Sequence, residues 1–307
     1  MASSDKKRLM FSVIIPAYNY ADSIDRSIKS ALSQSGDDFE VLIIDDGSTD
    51  ETAQVLDSYH RKFPKKIKYF LQKNQGPAAA RNKGAELSIG DYLFFLDADD
   101  EMAPNLLGEL RKKISTKKPV DVIIGDHIAI SHGGKSTYST TNVLPETREK
   151  CFKSYIFKKL NLSHCAKVVN RRVFEKISYP AELRISEDIP FMAKLLATCE
   201  CVLVNTPMAV VHKHRDSLRH NTVYAKEFGE CVADYIFSSN VLPDWASKYE
   251  KSFRARRCLS IFRTLYLADQ KKESLFYYKR ALVLSPLLVF QFSYTRKAMR
   301  AWLYGLR

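Results

Sequence analysis

The sequence predicts an α/β protein with a doubly wound, mostly parallel sheet flanked by helices, and with a basic helical extension at its C-terminal end. Three observations lead to this prediction. Short apolar strands alternate with helical segments from residue 11 onward, and these strands are apolar on both faces. The net charge of +13 is concentrated in the last fifth of the 307 residues. A chain of this length can form one large domain or two modest ones.

Each predicted strand is a short apolar run with a turn signal directly after it. Runs that are apolar on both faces are typical of strands that helices cover on both sides. The first four strands are predicted at residues 11–15, 39–44, 67–71 and 92–96. Since strands and helices alternate, these strands are expected to lie parallel in one sheet.

The helices between these strands are predicted from spacing and end signals. Apolar residues recur at every fourth position from Ile24 to Leu32, which predicts the first helix. Ser48 and Glu51 have the spacing of a capping box, which predicts a second helix that ends near residue 63. The third helix is predicted to have Pro77 in its first turn.

The middle of the chain is predicted to continue with shorter elements. Polar residues 131–142 are either a hairpin or a mobile loop. The other predicted elements are a helix at about residues 104–114, a strand at 120–125, a strand at 164–170, a helix that ends near 199, and strands at 202–204 and 208–211.

Three carboxylates follow the fourth strand within four positions: Asp97, Asp99 and Asp100. Crowded carboxylates repel one another unless a cation or hydrogen-bond donors neutralise them. Oxygen ligands of this kind suit Mg²⁺ or Mn²⁺. The stretch therefore predicts a divalent metal site, and the alternative is an acidic turn whose aspartates cap a helix.

Polar clusters follow all four of the first strands, at residues 16–19, 45–48, 74–77 and 97–100. In parallel α/β sheets, ligands bind beyond the carboxyl ends of the strands. The four clusters are therefore expected to meet at one edge of the sheet and to form a binding site. No GxGxxG motif follows the first strand, which argues against a dinucleotide cofactor.

These clusters resemble the motifs of family-two, inverting glycosyltransferases with a GT-A fold. The matching segments are Phe11-Ser-Val-Ile-Ile-Pro-Ala-Tyr-Asn, Val41-Leu-Ile-Ile-Asp-Asp-Gly-Ser-Thr-Asp, Asn74-Gln-Gly-Pro-Ala-Ala-Ala-Arg-Asn-Lys-Gly, Phe95-Leu-Asp-Ala-Asp-Asp and Ser186-Glu-Asp-Ile-Pro-Phe. The resemblance spans about residues 9–220. It implies a GT-A-like catalytic domain over residues 1–220, followed by a helical, basic region over residues 221–307.

The resemblance also implies a nucleotide-sugar donor, with a UDP-sugar expected first. Asp45 would accept a hydrogen bond from the base of the nucleotide, with Asp46 as a close competitor for that role. The other implied donor-binding residues are Pro16, Ala17 and Tyr18 around the base, Arg81 at the base or the carboxylate cluster, and Asp97 with Ala98 at the ribose or the sugar.

For the metal and the chemistry, the resemblance points to two further groups of residues. Asp99 would hold Mn²⁺ or Mg²⁺ on the diphosphate, together with His214, although His212 and Arg215 compete for that role. Asp188 would be the catalytic base, with Glu187 beside it. Single displacement needs only one base, which takes the proton of the acceptor hydroxyl, and it inverts the anomeric centre.

Each of these residues also has a simpler interpretation from the sequence alone. Asp188 would make a good helix cap. The pair Asp45 and Asp46 would suit an ordinary turn. Arg81 could be a surface charge of its helix, and the histidines near residue 213 could be ordinary core or surface histidines.

The C-terminal region carries most of the positive charge. Residues 248–307 contain 14 Lys and Arg against three acidic residues, a net charge of +11. Aromatic and aliphatic residues lie among these cations, which is typical of helices that rest on an anionic membrane surface. The alternative is a helical hairpin with a solvated basic face. A nucleic-acid partner is not expected, because no binding motif is present.

The predicted function is that of a metal-dependent, inverting glycosyltransferase that acts on a glycan or a lipid-linked acceptor. Its product would belong to a cell-surface polysaccharide, such as lipopolysaccharide. The alternatives are a nucleotidyltransferase and a nucleotide-sugar-binding module without turnover. The sequence shows neither a leader nor an apolar run that could span a membrane, so a cytoplasmic protein attached to the inner membrane face is expected.

Overall fold

A computed structural model describes residues 9–114, 119–140, 143–213, 222–289 and 292–305, the last range with only the backbone of 292, 293, 304 and 305. The chain divides into two compact units. The first comprises Met1–Leu144, Asn161–Glu182 and Cys199–Arg215. The second comprises Pro145–Leu160, Leu183–Thr198 and Asp216–Arg307. The domain boundary near residue 220 stays a prediction.

The first unit is built on four parallel strands in the spatial order β3-β2-β1-β4. Every residue of β1, β2 and β4 is buried, as their uniformly apolar sequences predict. The strands are β1 (Phe11–Ala17), β2 (Phe39–Asp45), β3 (Ile67–Leu71) and β4 (Tyr92–Phe95). All four predicted strands are confirmed, with boundaries that differ by no more than two residues.

Four helices lie between and after these strands. They are α1 (Ile24–Leu32), α2 (Thr52–Lys62), α3 (Pro77–Leu87) and α4 (Leu106–Lys113). Helix α3 approaches β1 so closely that a Cβ atom at Gly84 would lie 2.3 Å from Cγ2 of Ile14. Only glycine allows this approach, which sets the position of α3 over the sheet.

The predicted capping box at Ser48 and Glu51 is wrong. The hydroxyl oxygen of Ser48 accepts a hydrogen bond from the backbone N–H of Asn19, in the loop after β1. Helix α2 begins later, and Oδ1 of Asp50 accepts from the N–H of Thr52, its first residue. A contact between two loops therefore takes the place of the local cap.

Five more strands extend the sheet to nine. They are β5 (Glu101–Met102), β6 (Val122–Ile130), β7 (Ser136–Ser139), β8 (Lys167–Asn170) and β9 (Cys201–His212). Strand β8 joins the parallel core by pairing antiparallel with both β4 and β6. Strand β9 pairs parallel with β6 and antiparallel with β5. The predicted fold class, a mostly parallel α/β sheet flanked by helices, is confirmed.

Two details of this region differ from the prediction or decide between its alternatives. Residues 131–140 form a hairpin, since β7 pairs antiparallel with β6, whereas residues 141–142 lie outside the described part. The two short strands predicted at 202–204 and 208–211 are one strand, β9. Its pairing with β6 is irregular between Ile124 and His127, which explains why the apolar pattern is interrupted there.

The second unit is helical over the part that the structure describes. Its helices are α5 (Arg148–Ile156), α6 (Asp188–Thr198), α7 (Thr222–Phe228), α8 (Val232–Phe237), α9 (Glu250–Leu267), α10 (Lys271–Leu284), α11 (Pro286–Val289) and α12 (Phe292–Gly305). One core joins residues of α5, α6, α8 and α9, among them Phe152 and Phe253. Among the described helices, none has both the length and the apolar composition needed to cross a bilayer.

Candidate functional site

The loops after β1 and β2 meet at the carboxyl edge of the parallel strands, where the polar clusters were expected. The N–H of Asn19 donates to Oγ of Ser48 at 3.0 Å, and Oδ1 of Asn19 accepts from the N–H of Thr49 at 2.8 Å. Of the residues predicted around the base, Ala17 is buried at the end of β1 and Tyr18 is exposed after it. The carbonyl oxygen of Ala17 accepts a hydrogen bond from the N–H of Asp46 at 2.8 Å, so the residues predicted at the base lie side by side at the ends of β1 and β2.

Asp45 is the last residue of β2 and its side chain is fully buried. Oδ1 accepts a hydrogen bond from the N–H of Ser48 at 2.9 Å. Oδ2 is also buried, and it has no hydrogen-bond partner among the described residues. A buried acceptor of this kind is costly unless some group binds it. Asp45 therefore has one carboxylate oxygen available for a ligand.

Asp46 is also buried, but both of its oxygens are occupied. Oδ1 accepts from Nε2 of Gln72 at 2.7 Å and from the N–H of Gln75 at 2.8 Å. Oδ2 accepts from the N–H of Gly76 at 2.7 Å, directly before α3. Gly76 has a φ of 97°, a conformation that glycine adopts readily. Asp46 therefore anchors the loop between β3 and α3.

The difference between the two aspartates can be tested by stability. We expect Asp46→Ala to lower the free energy of unfolding by about 2–4 kcal/mol, because three donors lose their acceptor, one of them buried. Urea denaturation measures this change. Asp45→Asn is the matched control, and it should cost less than about 1 kcal/mol because its one accepting oxygen is retained. Equal losses in the two variants would contradict this assignment.

Arg81 on α3 is buried, so it is not a surface charge of its helix. Its Nη2 atom donates to Oδ1 of Asp97 at 2.7 Å. Its guanidinium carbon lies 5.5 Å from the ring centre of Tyr179, within the range of a cation–π interaction. The structure thus joins Arg81 to Asp97, two of the residues predicted to bind the donor.

Helix α1 holds the turn that carries the three carboxylates. Oγ of Ser27 lies 2.7 Å from the carbonyl oxygens of both Ala98 and Asp100. Arg26 donates from Nη2 to the carbonyl oxygen of Asp99. These contacts are made to the backbone of the turn, so α1 fixes the position of the turn through its carbonyl groups.

Asp97, Asp100 and Cys165 form a compact group, with ligand atoms that all lie within 4.8 Å of one another. Sγ of Cys165 lies 3.4 Å from Oδ2 of each aspartate. No local pattern in the sequence marks Cys165 as part of this site. It reaches the turn because β8, which begins two residues later, pairs antiparallel with β4.

The carboxylates of this turn repel one another. Burial, together with the charges of Asp97 and Asp99, raises the pKa of Asp100 to about 8. Burial and the same three carboxylates raise the pKa of the Tyr20 hydroxyl. Burial and the charges of Asp97 and Asp100 hold the pKa of the Cys165 thiol well above its usual value, so the thiol stays protonated. A divalent cation would relieve this repulsion, and the oxygen-rich set fits Mg²⁺ or Mn²⁺.

The histidine predicted beside the metal falls partly outside the described residues. His214 and its competitor Arg215 lie outside them. The backbone N–H of His212 donates to Oδ1 of Asp100 at 2.8 Å. The ring atom Nε2 of His212 lies 2.7 Å from Oε1 of Glu101. His212 therefore touches the carboxylate turn through its backbone, while its ring contacts Glu101.

The predicted catalytic residues belong to the second unit. Asp188 is the first residue of α6, and Glu187 before it is buried. Ser186 has a φ of 60°, a strained conformation for a residue other than glycine. The charge of Asp188 acts on two enclosed neighbours. Burial raises the pKa of Tyr155, and the charge of Asp188 raises it further. Burial lowers the pKa of Arg257, and the charge of Asp188 partly offsets this lowering.

Comparisons with known proteins agree with the motifs. A family model described as glycosyl transferase family 2 matches residues 12–178. An uncharacterized glycosyltransferase from Nostoc sp. is 39% identical over 129 residues, which are 42% of this chain and 39% of that protein. Chondroitin synthase from Escherichia coli is 40% identical over 118 residues, 37% of this chain and 17% of that protein. The chain spans less than half the length of the curated relatives it matches first.

Solved structures show the same architecture. Residues 1–349 of S. aureus TarS, in complex with UDP-GlcNAc, match with a TM-score of 0.66 and 20% identity, over 96% of this chain and 89% of that chain. The mannosyltransferase PcManGT from Pyrobaculum calidifontis, in complex with GDP-Man and Mn²⁺, matches with a TM-score of 0.58 and 15% identity, over 98% and 88%. At these identities the likeness concerns the fold, and it confirms the predicted GT-A-like class.

Proposed function

Because the chain belongs to glycosyl transferase family 2, we propose that it moves a sugar from a UDP-sugar donor to a hydroxyl of a glycan or lipid-linked acceptor. The reaction would depend on a divalent metal and invert the anomeric centre. One observation carries this proposal: the crowded carboxylates of residues 97–100 lie beside the Arg81–Asp97 pair at the carboxyl edge of the sheet. Such a set of charges suits a nucleoside diphosphate and its cation.

We assign recognition of the base to Asp45. Its buried Oδ2 needs a donor, and uracil offers one N–H group beside two carbonyl groups. Asp46 is the weaker choice because its oxygens already accept three hydrogen bonds. Pro16, Ala17 and Tyr18 would border the ring of the base, with the exposed ring of Tyr18 offering a surface for stacking.

The remaining donor contacts are assigned to the turn after β4. Asp97, held by Arg81, and its neighbour Ala98 would face the ribose or the sugar. Asp99 would hold the metal, with His214 as a second ligand. A bound Mn²⁺ or Mg²⁺ would neutralise the charge that develops on the leaving diphosphate. Asp97 and Asp100 lie on the same turn, and a bound cation would relieve the repulsion that raises the pKa of Asp100.

For the transfer step, we assign the role of general base to Asp188. A carboxylate takes the proton of the acceptor hydroxyl as the oxygen attacks the anomeric carbon. Asp188 stands at the N-terminus of α6, as its first residue. Glu187 is the second choice, since it is buried beside Asp188. A single displacement of this kind inverts the configuration of the sugar.

The acceptor, and the membrane location of the reaction, are proposed from a relative of this chain and from its net charge. One relative is a chondroitin synthase, an enzyme named for a polysaccharide product. A lipopolysaccharide or another cell-surface polysaccharide, made on the inner face of a membrane, is the setting that we propose for this chain. Its net charge of +13 favours an anionic membrane surface there.

A thermal-shift panel of UDP-, GDP- and dTDP-sugars, with and without Mn²⁺, tests the proposal. We expect a UDP-sugar with Mn²⁺ to raise the Tm most, by about 5 °C at a hundredfold excess over its Kd, because a ligand of the folded state stabilises it by mass action. A larger shift with a GDP- or dTDP-sugar would overturn the assignment of the base.

The same ligand should then be consumed when an acceptor is added. Release of UDP supports glycosyl transfer. A nucleotidyltransferase would instead form the UDP-sugar from UTP and a sugar 1-phosphate, with release of pyrophosphate. A UDP-sugar that binds but is neither transferred nor hydrolysed would indicate a binding module.

A further inference from the structure

The last helices of the second unit expose large apolar side chains to solvent. Leu287 is 92% exposed and Val283 is 85% exposed. Four more apolar residues of this region are more than half exposed: Phe276, Met299, Trp302 and Leu303. Single exposed apolar residues are common, but a concentration of them within 30 residues marks an interaction surface.

On α10 these residues share one face with cations. Phe276, Lys279 and Val283 follow the spacing of a single helical stripe, and all three are exposed. Arg280, also exposed, lies beside them and pairs with Glu230. The outer face of α10 therefore alternates apolar and cationic side chains.

Helix α12 repeats this arrangement. Among its described side chains, Ala298 and Ala301 are buried and Tyr294 packs partly buried against Phe262. Its exposed face carries Arg296, Met299 and Arg300, followed by Trp302 and Leu303. An ordinary surface helix buries its large apolar residues. Helix α12 exposes three of them among its arginines, so its outer face is suited to a partner with both apolar and acidic groups.

The charge of this region restricts the partner. Residues 274–307 include six Lys and Arg and no Asp or Glu. A second copy of the same face would bring cations against cations. A nucleic acid would match the charge, but its hydrated backbone would leave Val283, Leu287 and Leu303 without apolar contacts. An anionic lipid bilayer offers both acidic headgroups for the cations and a hydrocarbon layer for the apolar side chains.

We propose that the exposed faces of α10, α11 and α12 form a docking surface for anionic lipid, which we call the lipid face. It comprises Phe276, Lys279, Val283, Leu287, Arg296, Met299, Arg300, Trp302 and Leu303. Helices α10 and α12 pack on each other within the second unit. At about 1.5 Å per residue, the 14 residues of α12 extend about 21 Å, so this helix would lie in the headgroup layer rather than cross it.

This inference deepens the membrane partner of the proposed function, but it does not depend on the transfer chemistry. The full-length protein is tested by co-sedimentation with phosphatidylcholine vesicles, with and without phosphatidylglycerol. We expect binding only to the anionic vesicles, and we expect moderate salt to weaken it without abolishing it, because the apolar contacts resist salt.

Substitutions of arginine test how much the cations of the lipid face contribute to vesicle binding. Arg296→Gln combined with Arg300→Gln should weaken binding about tenfold or more, since each cation near an anionic surface is worth about 1 kcal/mol. Arg148→Gln combined with Lys159→Gln removes the same charge from exposed positions elsewhere in the second unit, and it should have little effect. Equal losses in both double variants would mean diffuse attraction, and would overturn the proposal.

Substitutions of apolar residues test how much the apolar side chains of the lipid face contribute to vesicle binding. Leu287→Ser combined with Trp302→Ser should remove the salt-resistant binding, whereas Val223→Ser, also at an exposed position, should not. Vesicle binding unchanged by the first pair would overturn the lipid face, as would a lowered oligomeric state with unchanged vesicle binding. All variants should keep the thermal shift that UDP and Mn²⁺ give with the unmodified protein. If the unmodified protein shows no shift with UDP and Mn²⁺, the proposed UDP-sugar donor is wrong while the vesicle result still stands.

Discussion

Asp188→Asn is expected to lower kcat by about 10²–10⁴-fold while the affinity for the donor stays unchanged. The substitution keeps the shape and polarity of the side chain at the start of α6, but the amide cannot take a proton from the acceptor hydroxyl. Since a general base acts in the chemical step, the loss belongs in kcat rather than in donor binding. Steady-state kinetics with a suitable acceptor, together with calorimetry of donor binding, separate the two quantities.

Glu187→Gln is the matched control for this variant. It makes the same chemical change one residue earlier, and we expect it to retain most of the turnover. Near-normal kcat in Asp188→Asn, with a large loss in Glu187→Gln, would move the role of the base to Glu187. A lower melting temperature in Asp188→Asn with unaltered kcat would favour the simpler interpretation, in which Asp188 stabilises the start of α6.

Asp99→Asn is expected to remove the Mn²⁺-dependent part of donor binding. Loss of a residue that supports a metal ligand lowers metal affinity about 10–100-fold, and loss of a ligand itself should cost at least as much. Calorimetry of UDP binding with and without Mn²⁺ measures this difference directly. The fold should persist, because α1 holds the turn through backbone carbonyl groups that the substitution leaves in place.

Asp57→Asn provides the control for the charge. Asp57 lies on α2 in the same unit, where it pairs with Arg61 on the surface. Its substitution removes one negative charge without touching the turn, so Mn²⁺-dependent binding should stay intact. If Asp99→Asn retains that dependence, the metal is held by Asp97 and Asp100 without Asp99, and the assignment made by resemblance fails.

The parallel core could be predicted from the sequence because its signals are local. Strands β1, β2 and β4 are apolar at nearly every position, since helices cover them on both sides. The polar clusters at their ends could be placed together for the same reason, because parallel strands bring their carboxyl ends to one edge.

Other features depend on contacts between distant residues, which a single sequence does not reveal. Ser48 has the spacing of a capping residue, but the N–H of Asn19 binds its hydroxyl oxygen across two loops. Cys165 meets Asp97 only because β8 pairs antiparallel with β4, and no local pattern indicates that pairing. The separate duties of Asp45 and Asp46 could not be assigned either, since they depend on where the loop before α3 lies.

Each of the two units is made of segments that are not contiguous in sequence, and this affects the order in which the protein can fold during synthesis. Helices α5 and α6 share a core with α9, whose Phe253 packs near Phe152 and Ala193. During synthesis, α5 and α6 can pack on each other first, but the apolar surface that meets α9 must wait for a helix that begins about 90 residues after α5 ends and about 50 residues after α6 ends. Residues 188–198 would then complete their packing only when most of the chain has been made.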